Sequence, residues 1–421
     1  MIILDYGPVL GVGMLEKLYK LSQNLLKIKR LGYRRYLIRR EEFTHNLTVL
    51  IGARGIGKTT TLVQHLLDQV GGDRFDKRIL YIQADHFLMG SLSLYEIAEH
   101  FQLHGGKWIA FDEIHKYADW SKELKSICDT FPDLFVIASG SSALEIHKGS
   151  HDLSRRAIVY NMQGLSFREY LELEYELELP TFSLKEILRN HEKIANEIIE
   201  LLKEKKVLPA FLDYLKTGYF PYFRGLPSKS HYKITLEQNV HATIDSDLTA
   251  IYPELTGRSL AKIKQLLIFI AGAVPFVPNW AKMLIALEIG DVRTLKTYVK
   301  YLEDAQLIRT LHKSTNKFSR LEVCEKITLD NPNQCFALAS EKPNMGTIRE
   351  IFFLCMLSQS HLVAAPKNGD FVVDGKILFE VGGKGKSFDQ VKSEKNAFIA
   401  SDDIEQGFGN RVPLWLFGFL Y

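Results

Sequence analysis

The sequence predicts an α/β protein built on a parallel sheet, followed by a helical segment, a three-helix segment with a hairpin, and a mixed α/β tail. Three observations carry this. Residues 47–164 alternate apolar runs with helical stretches, the pattern of parallel strands covered on both faces. One of those runs passes straight into a glycine-rich loop and then a helix. After residue 165 the strand runs stop and helical periodicity takes over, until strands return near the C-terminus.

The 421 residues are enough for about three domains. With 53 Lys and Arg against 50 Asp and Glu, the net charge is only +3, so any surface for nucleic acid must be a local patch. Cys128, Cys324, Cys335 and Cys355 form no Cys-x-x-Cys pair, which argues against a zinc or disulfide framework and for reduced thiols in a cytoplasmic setting. The N-terminal residues do not read as a signal peptide, and no apolar run approaches the ~20 residues of a membrane span. A membrane partner is therefore not expected.

Residues 1–46 form a basic helical lead-in. Leu15, Leu18, Leu21 and Leu25 fall at helical spacing, with Lys27, Lys29, Arg30, Arg34, Arg35, Arg39 and Arg40 following. Such a run reads as a solvated helix packed on the next domain or as a contact to a phosphate backbone. Residues 47–164 form the core, with strands at 47–52, 78–84, 107–114, 134–140 and 156–162. Residues 165–254 read as a helical lid or connector, including the Glu- and Lys-rich stretch 184–206 and a loop marked by Pro221, Gly225 and Pro227. Residues 255–312 hold three short apolar stripes and then a turn into a strand, the pattern of a winged helix. Residues 313–421 carry a helix near 346–358 and strands at 371–373, 377–381 and 412–420.

The loop Gly52-Ala53-Arg54-Gly55-Ile56-Gly57-Lys58-Thr59 fits Gly-x-x-x-x-Gly-Lys-Thr between a buried strand and a helix. Glycines let the backbone curl so that successive N–H groups face phosphates, and the helix N-terminus adds positive potential. The expected ligand is a nucleoside triphosphate with Mg2+: residues 52–60, including Thr60, cradle the triphosphate, Lys58 reaches the β- and γ-phosphates, and Thr59 ligates the metal. The run Trp108-Ile109-Ala110-Phe111-Asp112-Glu113 ends a second buried strand in two carboxylates. Asp112 is expected to hold magnesium through water, and Glu113 to act as general base on the attacking water. Ser139, ending the next strand, is the candidate sensor of the γ-phosphate. Arg156, after Arg155, is the candidate transition-state arginine, acting in cis or from a neighbouring subunit. Asp85 either tunes the site or caps a helix.

With these motifs in view, Gly-Ala-Arg-Gly-Ile-Gly-Lys-Thr-Thr, Phe-Asp-Glu-Ile-His-Lys, Ala-Ser-Gly-Ser-Ser-Ala and Gly-Leu-Ser-Phe-Arg-Glu-Tyr resemble a family of prokaryotic AAA-type ATPases, the AAA_14-like proteins often described with the archaeal ATPases. The resemblance runs over the whole chain. It implies a P-loop fold with the carboxylate and sensor strands beside the P-loop strand. It supports Lys58, Thr59, Asp112, Glu113 and Ser139 in the roles above, and it places Arg156 where the family has an arginine before Leu165-Ser166-Phe167-Arg168-Glu169. ATP rather than GTP is the family's expectation. Such proteins typically carry a winged helix and then a domain of the DUF4143 type, related to the PD-(D/E)xK nucleases.

In the third winged-helix stripe, Arg293, Lys296, Thr297 and Lys300 face outward, as a helix entering a DNA groove would have them, although winged helices also bind proteins. A nuclease-like tail needs two carboxylates at strand ends to hold magnesium and a nearby lysine. Asp370 and Glu380 fit the carboxylates, with Glu350 a third ligand. The lysine expected two residues after Glu380 is Gly382 here, so Lys384 is the candidate to take its place. The functions left open are an ATP-driven switch on DNA or a protein partner, an ATP-gated nuclease, and a nucleotide-responsive scaffold, each possible as a homo-oligomer.

Overall fold

The computed structural model describes residues 12–29, 31–41, 43–90, 92–140, 153, 155–273, 277–313, 324–339, 343–387 and 396–421. The expected Ser141-Ser142 pair lies outside the described residues. The chain forms two compact units: Met1–Met162 with Ala250–Pro253, and Gln163–Thr249 with Glu254–Tyr421.

The first unit is the expected parallel sheet. Strands β1 (Leu47–Ile51), β2 (Ile79–Gln83), β3 (Trp108–Asp112), β4 (Phe135–Gly140) and β5 (Ile158–Asn161) lie in the order β2-β3-β4-β1-β5, each pair parallel. Every residue of β1 is buried, which is why its sequence is an unbroken run rather than an alternation. Helices α3 (Lys58–Asp68), α4 (Leu94–Leu103) and α5 (Trp120–Thr130) cover the faces. A capping box starts α4: Ser93 accepts from the Glu96 N–H and the Glu96 carboxylate accepts from the Ser93 N–H.

The lead-in differs from its expected form. It is two helices, α1 (Val12–Ile28) and α2 (Tyr36–Arg40), joined by a loop. The buried face of α1 is Leu18, Ser22 and Leu26 rather than the Leu21 and Leu25 positions. Ser22 explains the rotation: its hydroxyl accepts from the Tyr81 N–H at 3.0 Å, covering the edge strand β2. The loop is tied to α3, where Gln64 Nε2 donates to the carbonyls of Leu31 and Tyr33 at 2.9 and 2.8 Å and Arg34 pairs with Asp68. Arg35 is buried, so it is not part of a solvated basic face.

On α3, His65 is buried beside Phe43, with ring centroids 5.5 Å apart. Burial pushes its pKa down to about 4, with Asp68 opposing and Arg34 adding to the shift. A depressed histidine contributes stability that is present above its ordinary pKa and lost as pH falls toward 4. We expect this unit to lose about 3 kcal/mol from this residue between pH 6.5 and 4. In a urea unfolding series across that range, His65→Phe should flatten the pH dependence.

In the second unit, α6 (Phe167–Tyr175), α7 (Leu184–Leu202), α8 (Val207–Asp213) and α9 (Lys229–Ala242) come first. They do not form a body of their own. Phe167 packs on Phe211, Tyr214 and Phe419, and Ser166 Oγ and Arg168 Nε donate to the Tyr421 carbonyl at 2.8 and 3.0 Å. The helical segment and the C-terminus thus share one core. Next come α10 (Gly257–Gly272), α11 (Trp280–Leu287) and α12 (Val292–Asp304), then the antiparallel ribbon β6 (Ile308–Leu311) and β7 (Lys326–Leu329). A boundary at 312 divides this ribbon. Arg309 of β6 holds it by pairing with Asp330 at 2.8 Å.

The tail has α13 (Pro332–Leu338), α14 (Met345–Leu357) and the mixed sheet β12-β11-β10-β9-β8. Its strands are β8 (Val363–Ala364), β9 (Phe371–Val373), β10 (Ile377–Gly382), β11 (Ala397–Ser401) and β12 (Arg411–Pro413). The strand expected at 412–420 ends at Pro413 and gives way to a 3-10 helix, Leu414–Phe419. Every residue of that turn is buried, and a continuous apolar run does not distinguish a strand from a buried helix. Among the described residues no helix is long and apolar enough to cross a membrane.

Candidate functional site

β1 delivers the glycine loop at the C-terminal edge of the sheet. Gly52, Gly55 and Gly57 have φ of 150°, 84° and 102°. A Cβ on Gly52 would sit 2.3 Å from the Met162 carbonyl oxygen and 2.5 Å from Ile56 Cδ1, so only glycine fits there. Gly57, left-handed, caps α3, whose first residue is Lys58. The Lys58 ammonium is buried and donates to the carbonyls of Gly52 and Ala53 at 2.8 and 2.9 Å. Its charge is thereby held inside the loop.

β4 lies between β1 and β3, pairing Leu50 with Ser139 and Phe111 with Ala138. This brings Asp112, Ser139 and Thr59 together, as the sequence predicts. The Asp112 carboxylate is buried and accepts from Thr59 Oγ1 at 2.7 Å, from the Ser139 hydroxyl and from the Glu113 N–H at 3.1 Å. It also accepts from the Tyr81 hydroxyl at 2.5 Å. Sequence reading missed Tyr81. The signal lay in the sheet register: Tyr81 pairs with Ala110, two residues before Asp112. Burial first, and the adjacent Asp112 charge second, push its pKa up, so the phenol stays protonated and donates.

Glu113 follows directly, with a left-handed backbone at φ 54°, ψ 36°. For a non-glycine residue this conformation is strained, and such strain concentrates at functional sites. Its Oε2 lies 3.5 Å from Lys116 Nζ and 3.9 Å from His115 Nε2. Lys116 also pairs with Asp85 at 2.6 Å. Burial opposes the Lys116 charge, but the Asp85 hydrogen bond and the Glu113 and Asp85 charges outweigh it and raise its pKa. Asp85 and Glu113 thus share Lys116, and among the described residues it is His86, not Asp85, that caps the short helix beginning at Phe87.

Arg156 is not at this site. It precedes β5, and β5 runs parallel to β1 with Ile51 opposite Asn161. Arg156 therefore lies at the N-terminal edge of the sheet, the edge opposite the glycine loop, where it pairs with Asp129 at 2.6 Å. The role in cis is corrected by this placement.

In the second unit, Asp370 and Glu380 converge across β9 and β10. Asp370 Oδ2 accepts from the Val381 N–H at 2.8 Å. Their lysine is Lys386, with Nζ 2.6 Å from Glu380 and 3.4 Å from Asp370, while Lys384 is exposed. Gly382 makes this possible: a Cβ there would sit 2.8 Å from the Lys386 Cβ. Burial raises the pKa of Glu380 despite Lys386. Glu350 does not complete a ligand set, because it pairs with Lys326. Among the described residues no three His, Cys, Asp or Glu side chains are placed to hold a metal ion.

A glycine-rich loop between β1 and α3, two carboxylates ending β3, and β4 inserted between them define a P-loop nucleotide-binding domain. Residues 44–171 match the family model described as an AAA domain, in keeping with that P-loop fold. The uncharacterized proteins MJ1637 and MJ1544 of Methanocaldococcus jannaschii are 27% and 22% identical to the chain. The matches cover 89% and 84% of this chain and 84% and 76% of theirs. Among solved structures, the Walker-type ATPase PABY2304 of Pyrococcus abyssi is 16% identical, with 75% of this chain and 99% of that one covered at a TM-score of 0.39. AMPPCP-bound DnaA from Aquifex aeolicus is 15% identical, with 75% and 92% covered at a TM-score of 0.25.

Proposed function

We propose that the protein binds ATP with magnesium at residues 52–60, hydrolyses it, and uses hydrolysis as a conformational switch. One observation carries this reading: Thr59, Tyr81, Ser139 and the Glu113 N–H all converge on the Asp112 carboxylate below the glycine loop. Four donors fix the position of the Asp112 carboxylate before any ligand arrives. The Thr59 hydroxyl and Asp112 are the oxygen donors a P-loop magnesium needs, one direct and one through water. That metal, when bound, neutralises charge on the phosphates.

The chain's own groups do the rest. Lys58 exchanges loop carbonyls for phosphate oxygens. Glu113 orients and deprotonates the attacking water, with Lys116 setting its carboxylate. Ser139 keeps Asp112 and the Glu113 backbone in register. From its sheet edge Arg156 serves a triphosphate only in a neighbouring copy, so a catalytic role for it requires a homo-oligomer. The direct test is turnover: the purified chain should release phosphate from ATP with magnesium and not with EDTA.

For the target we favour DNA. Three short helices followed by a two-stranded ribbon support a winged helix, and Arg293, Lys296, Thr297 and Lys300 are exposed along α12. Lys296 lies over the Trp280 ring, and Lys300 pairs with Asp304 at 3.0 Å, an exposed ion pair of little strength that a phosphate can replace. Removing both lysines should lower the slope of log affinity against log salt by about 2 on duplex DNA. An unchanged slope argues for a protein target instead. A gated nuclease is favoured by the Lys386 placement alone. Magnesium-dependent nicking of plasmid DNA, lost in Glu380→Ala, would promote it over a binding-only tail.

A further inference from the structure

We infer that Arg35, outside the segment that matches the family model, is a positioning residue that sets the phosphate-binding conformation of the glycine loop. Arg35 is only 4% exposed, and its Nη1 donates to the Ile56 carbonyl at 2.5 Å. In a trans peptide the carbonyl and the following N–H point in opposite directions. Anchoring the Ile56 carbonyl on a guanidinium buried behind the loop therefore turns the Gly57 N–H to the loop's other face. On that face, donors in a glycine-rich loop meet an anion.

Gly57 is the position where this control matters. Its φ of 102° belongs to a residue with little intrinsic preference, so without an anchor the 56–57 peptide is free to flip. The anchor is itself fixed. Gln64 ties the carbonyls of Leu31 and Tyr33 to α3, Arg34 pairs with Asp68, and Phe43 packs against His65. Residues 31–41 and Phe43 thus form a strap with three attachments to the helix that follows the loop and one, through Arg35, to the loop. The guanidinium also places a fixed positive charge behind a loop that receives a polyanion.

The inference rests on the loop being a nucleotide site, and the experiment separates the two. Full-length protein is titrated with ATP and ADP in magnesium, and steady-state turnover is measured. The variants are Arg35→Ala, Arg35→Lys and, as a control on the same strap, Arg34→Ala. Arg35→Ala should raise Kd for both nucleotides and KM by about tenfold or more, the scale of a hydrogen bond from a charged donor. kcat should stay within about threefold, because the Gly57 N–H serves ground and transition states alike. Arg35→Lys, which keeps one charged donor, should recover part of the loss, and Arg34→Ala, which loosens one of the strap's three other attachments, should raise Kd by at most about threefold, well short of the Arg35→Ala effect. A folded Arg35→Ala protein with wild-type Kd and KM overturns the inference, even if its melting temperature has dropped. If Arg35→Ala does not fold, Arg35→Lys and Arg35→Gln decide it by the same split. Wild-type protein that binds neither nucleotide sinks the underlying site assignment instead.

Discussion

Glu113→Gln should reduce ATP turnover by about 100- to 10,000-fold, the range for removing a general base, while leaving nucleotide affinity within about threefold. The asymmetry follows from the geometry. Glu113 sits beyond Asp112 on a strained backbone, at the end of the carboxylate strand rather than in the glycine loop. Its side chain contacts Lys116 and His115. The amide keeps the shape and loses the charge and the basicity. Equal losses in affinity and turnover would mean that Glu113 is holding the ligand rather than activating water. Rapid-quench turnover beside equilibrium binding of a fluorescent ATP analogue separates the two outcomes.

Lys58→Ala should abolish turnover by acting a step earlier. Lys58 is the buried cation of the loop, and its ammonium donates to the Gly52 and Ala53 carbonyls, which phosphate oxygens would replace. Losing a charge-assisted contact of this kind costs about 2 kcal/mol or more, so ATP affinity should fall at least about 30-fold. Lys58→Arg should not rescue it, because a planar fork does not fit a site shaped for a point charge. Retention of ATP affinity in Lys58→Ala, measured by calorimetry, would place the triphosphate elsewhere.

Much of this site is legible in the chain because strand, loop and helix are contiguous there. Residues 47–68 specify their own structure: an apolar run, glycines where φ is positive, and a helix that begins at Lys58. Asp112, Glu113 and Ser139 are legible because carboxylates and a hydroxyl ending buried strands have few other reasons to be there. What was not legible depends on pairing across the fold. Tyr81 reads as an ordinary aromatic residue in a strand until β2 lies beside β3. Arg35 reads as one of several basic residues until the strap folds back on the loop. Arg156 reads as a site residue from its neighbourhood in sequence, but a parallel strand that ends at the loop must begin at the opposite edge. Spacing along the strand points to Lys384 rather than Lys386, because a count says nothing about a side chain that returns over Gly382. The apolar run at 414–419 looks the same as a strand or as a buried turn, and only the packing around Phe167 and Phe353 decides it.

The central claim is that this P-loop hydrolyses ATP rather than merely holding it. Phosphate release from magnesium ATP by the wild-type chain, with Lys58→Ala protein prepared in parallel as the blank, tests that claim most directly. The account predicts magnesium-dependent release clearly above the blank and eliminated in Glu113→Gln. Wild-type protein that binds ATP yet releases phosphate no faster than the Lys58→Ala blank, alone and with duplex DNA present, would contradict it.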